Sequence, residues 1–258
     1  MQWMTLFQKE MVENWRNKKW IWVPLVMIIL AIMDPISNYY MPQIIEAVGG
    51  LPEGTVFELP DFAPAEVVMM SLAQFSTLGV LIIVLISMGT IAGERKSGIS
   101  ELILVKPVSY INYITAKWAA LLILTLVSFF FGMLASWYYI NILYGELSFE
   151  NFLLIVLFYG LWLTFVVTLS IFYNAMIKTP GLVAFLTIFT IMVMRVITQV
   201  FHHLLNWSPN NLSNYIFEML LTESIPSHLV GTASVTIMLS IILLIASIFI
   251  FKKKELAN

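Results

Sequence analysis

The sequence contains no cysteine, which excludes a disulfide framework, a thiolate metal site and a cysteine nucleophile, and leaves the redox compartment unmarked. Charge is scarce as well. Only 11% of the 258 residues are Asp, Glu, Lys or Arg, 60% are hydrophobic, and the mean hydropathy is +0.91. Soluble domains carry roughly a quarter charged residues, so a water-soluble fold is excluded. The formal charge is −2 and the basic residues flank apolar runs rather than gathering on one surface, which argues against nucleic acid as a partner. Histidine is limited to His202, His203 and His228, without a His-Glu-x-x-His or a Gly-x-Ser-x-Gly motif. No cleavage-site pattern precedes the first apolar run, so the N-terminus is expected to stay on the protein. No internal repeat marks the chain as two fused copies of a smaller bundle.

What is present is a series of apolar runs of the length that crosses a hydrocarbon core of ~30 Å at ~1.5 Å per residue. They fall near 20–39, 71–92, 113–140, 152–176, 182–201 and 229–251. The expected fold is an all-α membrane protein, a single six-span domain over 1–258. Lys9, Arg16, Lys18, Lys19, Arg95, Lys96, Lys106, Lys117, Lys178 and Lys252 to Lys254 all fall on one side of these spans, and the alternate loops carry only acids. The positive-inside rule then predicts a multi-pass protein of the cell membrane with both termini cytoplasmic.

Smaller features sit on this frame. Within 1–19, Trp3, Phe7, Met11 and Trp15 recur every four residues opposite Lys9, Glu13 and Arg16, the pattern of an interfacial amphipathic helix that anchors the start of the chain on the bilayer. The cytoplasmic stretch 94–112 holds Ile99, Leu102 and Ile103 at helical spacing before Pro107, an apolar ridge suited to a groove on a cytosolic partner. In 202–228, a short external helix running to Leu221 is expected, capped by Asn211 or Ser213 and closed near Pro226. Gly89 and Gly93 form a Gly-x-x-x-Gly pair that predicts close helix packing. Asp34 and Arg195, costly in hydrocarbon, lie at matching depths of ~20 Å from the inner boundary and are expected to face each other, directly or through water, as an intramembrane ion pair, with the Asp34-Pro35 break freeing backbone groups for Arg195. An intramembrane enzyme using His202, His203 and Asn206 on one helical face is the competing class, and a passive channel a third.

The loop after the second span resembles that of the permease subunits of type 2 ABC exporters: Glu94, Gly98, Glu101, Leu102, Leu104, Pro107, Val108, Ser109 and Lys117 match its order and spacing, while Ile99, Tyr110 and Ala116 depart from it. The resemblance extends over the whole chain. It implies that this loop is a coupling helix seated in a cleft of a separate ATPase chain, that ATP and Mg belong to that chain, and that a second permease copy, identical or related, completes the translocation path in the lipid bilayer. The sequence agrees with that division. Its nearest approach to a phosphate loop, Gly93 to Gly98, has Ile99 where the essential Lys would stand, so no nucleotide cofactor and no catalytic residue are expected here.

Overall fold

The computed structural model describes residues 2–49, 61–98 and 108–255. Among these the chain is mostly helical with no strand, and six helices are long and apolar enough to cross a membrane. Helix α1 (Gln2–Arg16) turns at Lys18, whose φ of 56° is left-handed, into α2 (Lys19–Ala47). The second span is made of α3 (Pro64–Gln74), one wide π turn (Phe75–Gly79) and α4 (Val80–Ser87), followed after a break by α5 (Ala92–Lys96). Then come α6 (Tyr110–Leu143), α7 (Phe149–Met176), α8 (Pro180–Val200), α9 (Leu212–Thr222) and α10 (Ser227–Glu255).

The six-span expectation holds, but the helices run longer than the apolar runs. At 34 residues, α6 is about 50 Å long, so it overshoots the hydrocarbon and carries its first turns into the lysine-rich end. Helix α2 continues through Pro24, Pro35 and Pro42. Proline lacks an N–H, so Pro35 leaves the carbonyl four residues back without its helical donor. Ser71 of α3 supplies one: its hydroxyl donates to the Ala31 carbonyl at 2.8 Å. Tyr144 donates to the Pro35 carbonyl at 2.7 Å. At Pro35 the neighbouring α3 therefore completes the helix.

Helix α7 is the centre of the bundle, with α4, α6, α8, α9 and α10 packed around it. Phe75, Phe129 and Tyr159 fill the middle, with Phe75 and Phe129 edge to face at 5.1 Å and Phe129 stacked on Tyr159 at 5.3 Å. These rings belong to the packed core of the described bundle. Close approach occurs at Gly132 of α6, where a Cβ would lie 2.9 Å from the Met27 carbonyl oxygen of α2. Gly89 and Gly93 make no such close approach within the chain: among the described residues a Cβ at either meets nothing within 4 Å. The second span breaks after Ser87, so these glycines do not share an uninterrupted spanning helix face against which another helix could lie.

Helix α1 also differs from a simple anchor. Its buried residues are Glu10 and Asn14, turned to the bundle, while Met4, Val12 and Trp15 are exposed. The Trp3 indole N–H donates to the Thr115 hydroxyl of α6 at 3.1 Å. The short helix before the last span exists as α9, buried through Leu212, Ile216, Met219 and Leu220. Asn211 stands at its N-cap position without a side-chain capping bond and instead donates to the Leu205 carbonyl at 2.9 Å.

Candidate functional site

The most organised polar site lies at the lysine-rich end, where the second span breaks between Ser87 and Ala92. A broken helix leaves backbone donors and acceptors without partners. Asn174 of α7, fully buried, meets them: its carbonyl oxygen accepts from the Ile91 and Ala92 N–H groups at 3.2 and 3.0 Å, and its amide donates to the Ser87 carbonyl at 3.0 Å and, within α7, to the Ser170 carbonyl at 2.9 Å. The Ser87 and Ser170 hydroxyls pair at 2.6 Å beside it. One amide side chain thus holds the bend that aims α5.

Two adjacent charges then fix α5 on opposite sides. The Glu94 carboxylate accepts from the Lys9 ammonium of α1 at 2.6 Å, from the Lys117 ammonium of α6 at 2.9 Å and from the Tyr113 hydroxyl at 2.6 Å. Lys117 also binds Glu10 of α1 at 2.7 Å, and Lys9 reaches Glu10 at 3.1 Å. The Lys117 side chain is 3% exposed, with Glu10 and Glu94 at 10% and 11%. Two carboxylates at contact balance the charge of this buried ammonium. Burial works against the charge of Lys9 too, but the hydrogen bond and charge of Glu94, together with Glu10, outweigh it and hold its pKa above the ordinary lysine value. Glu10, Glu13 and Glu94 bring carboxylate oxygens within 4.8 Å of one another, the kind of cluster that could hold a metal, and the cations that enter it here are the chain's own lysines.

On the other side, the Arg95 guanidinium donates to the Ala175 carbonyl of α7 at 3.1 Å and lies over the Phe251 ring of α10 at 5.4 Å. Phe251 in turn stacks on Tyr113 at 5.4 Å. Lys254 donates to the Met176 carbonyl at the end of α7. Helix α5 is therefore joined to α1, α6, α7 and α10. It ends at Gly98, whose φ of +77° is the left-handed conformation that suits glycine and closes a helix.

Of the residues singled out in the sequence, Glu94 and Gly98 sit at this site, and Glu94 turns inward to the ion cluster rather than outward. Glu101, Leu102, Leu104 and Pro107 lie outside the described residues. His202 and His203 are exposed in a turn beyond the end of α8, so the shared helical face with Asn206 does not form. Asn206 acts through its backbone carbonyl, which accepts from the Tyr215 and Thr232 hydroxyls. The enzyme reading loses its only cluster.

The Asp34 and Arg195 pairing is also corrected. Asp34 accepts from the Gln74 amide at 3.1 and 3.0 Å, and it makes no ion pair with Arg195. Matching depth along two helices does not set which faces meet: α2 packs on α6 and α3, and α8 on α7 and α4. Arg195 instead borders a cavity of about 120 Å3 with Ser76, Tyr159 and the start of α9. The carbonyl freed by Pro35 had already found Ser71. Sequence reasoning missed Lys9, Glu10 and Asn174 as site residues. The readable signal for Asn174 was a lone amide within an otherwise apolar run. For Lys9 and Glu10 it was the charged face of the first helix, which wants a polar partner inside the protein.

The comparisons with known proteins cover nearly the whole chain. A relative from Bacillus subtilis (strain 168), described as the uncharacterized transmembrane protein YxlG, is 29% identical over 252 residues, covering 98% of each chain. The family model described as "ABC-2 family transporter protein" matches residues 4–256. The six apolar helices and this match make the chain a multi-pass membrane protein that belongs to the ABC-2 transporter family.

Proposed function

We propose that this chain is the permease half of an ATP-driven exporter in the cell membrane. A separate ATPase chain binds the lysine-rich, cytoplasmic end, and a second permease copy completes the path. The carrying observation is the way α5 is held. The residues that open the family's coupling motif, Glu94 to Gly98, begin in the short helix α5, which is locked by charge to α1 and α6 and by Arg95 to α7 and α10. A displacement imposed on the following segment, with Glu101, Leu102, Leu104 and Pro107, would be passed to four helices at once, which is what coupling to a moving ATPase requires. ATP and Mg belong to that partner. The export direction follows from the family resemblance, and the cytoplasmic placement of both termini from the lysine distribution.

The test is affinity purification of the tagged chain from cells that express it with its neighbouring genes. An ATP-hydrolysing chain should co-purify, and Leu102→Glu should release it while the permease stays in the membrane. A chain that purifies without any ATPase under gentle detergent, and a Leu102→Glu variant that behaves as the parent, would refute the coupling.

A further inference from the structure

At the end opposite the lysines, the 120 Å3 cavity beside Arg195 mixes apolar walls such as Ile191 and Leu212 with groups that can donate, Arg195 and Asn210 among them. Arg195 has no carboxylate within ion-pair reach among the described residues. The Asn210 amide nitrogen, also on the cavity wall, is buried without an acceptor. The first residues of α9, Leu212 to Asn214, form another wall and bring the positive end of that helix to the same space. Tyr159 is already committed: its hydroxyl donates to the Leu72 carbonyl at 3.1 Å and sits 2.8 Å from the Ser76 hydroxyl. No described carboxylate lines the cavity. Three sources of positive potential converge on a volume that holds one small anionic group.

A second space of about 420 Å3 adjoins it, sharing Ser76, Ile191, Arg195 and Gln199. This one is apolar, a groove between α4 and α8 walled by Leu81, Ile188, Met192 and Val196. Ile188, Met192 and Val196 succeed one another every four residues, so the groove runs along the axis of α8. Arg195 lies about 8 Å from the end of α8 at ~1.5 Å per residue, in the third of the span farthest from the lysines. From there the groove descends toward the bilayer interior.

We propose that the chain binds one anionic amphiphile here, with its phosphate-type headgroup between Arg195 and Asn210 and its tail in the groove between α4 and α8. The arginine accounts for the sign of the headgroup, since a guanidinium within a membrane span and without a carboxylate is best satisfied by an anion that arrives with its own apolar tail. The same chemistry is offered by an anionic membrane phospholipid and by a soluble alkyl phosphate. Binding needs no ATPase, so its failure would leave the exporter reading standing, and the reverse also holds.

The full-length protein in maltoside detergent is titrated with dioleoyl phosphatidylglycerol, dioleoyl phosphatidylcholine, dodecyl phosphate and inorganic phosphate, with binding read by native mass spectrometry. One anionic amphiphile per chain should bind at least about tenfold more tightly than the zwitterionic lipid. Arg195→Gln should abolish that preference and Arg195→Lys should keep most of it. Leu81→Trp, which fills the groove, should weaken the amphiphiles and leave inorganic phosphate unchanged. Binding of phosphatidylglycerol alone would identify a bilayer lipid, and of dodecyl phosphate alone a soluble amphiphile. Equal affinity for the two phospholipids, an unchanged Arg195→Gln variant, or inorganic phosphate binding as tightly as the amphiphiles would overturn the proposal. So would a Leu81→Trp variant that dissociates a dimer without altering lipid retention, since a second copy would then occupy the groove. If Arg195→Gln does not fold, the phospholipid comparison on the parent and on Leu81→Trp decides alone.

Discussion

Replacing Lys117 with Met tests the ion cluster most directly, because Met keeps the length and apolar stem of lysine and removes only the ammonium. In the parent that ammonium lies 2.7 Å from Glu10 and 2.9 Å from Glu94, with its side chain 3% exposed. Without it, two carboxylates whose oxygens lie within 4.8 Å of one another face each other with Lys9 as the remaining counter-charge. At an effective dielectric near 20, two like charges at that distance repel by about 3 kcal/mol. Lys9 offsets part of this, while the lost hydrogen bonds add to it, so a net loss of about 3 kcal/mol is expected, in the range for stripping one partner from a buried pair. The assay is unfolding of the purified protein in detergent, followed by tryptophan fluorescence. The triple variant Glu10→Gln, Glu94→Gln, Lys117→Met should recover most of the loss, since no unbalanced charge remains. A single variant within about 0.5 kcal/mol of the parent, or a triple variant whose loss is the sum of the three singles, would refute the reasoning. The same logic makes Glu94→Ala a destabilising change and not one that spares folding, because the side chain faces inward.

Asn174→Ala should cost at least about 2 kcal/mol in the same unfolding assay, because it orphans the Ile91 and Ala92 N–H groups at a buried bend. Gly132→Val should destabilise by about 1–3 kcal/mol through overpacking against α2, whereas Gly93→Ala, with open space around its Cβ and a helical backbone, should be neutral or stabilising by up to about 1 kcal/mol; the reverse order would contradict the helix packing. Asp34→Asn and Arg195→Gln should be additive in unfolding free energy to within about 0.5 kcal/mol, since Asp34 is held by Gln74 and not by Arg195; a coupling of about 2 kcal/mol or more would restore the ion pair.

What the sequence determined by itself was the layout along one dimension. Apolar length, the one-sided lysines and the spacing of the coupling motif are properties of the chain taken in order, because the bilayer imposes the same length and charge rules on every span. Composition therefore sufficed for an all-α six-span protein, and motif order sufficed for the family. What it could not determine was azimuth, meaning which face of each helix meets which neighbour. Nearly all-apolar spans have little periodicity with which to encode it. That is why Gly89 and Gly93 carried the expected close-packing signature while Gly132 makes the close approach, and why Asp34 and Arg195 match in depth yet do not meet. It is also why the inward turn of Glu94, the role of Asn174 as a splint for the broken second span, and the joining of α1 to α6 through Glu10 and Lys117 emerged only from the tertiary structure. Each depends on side chains from segments 80 or more residues apart converging on one point, and only the packed bundle decides which segments converge.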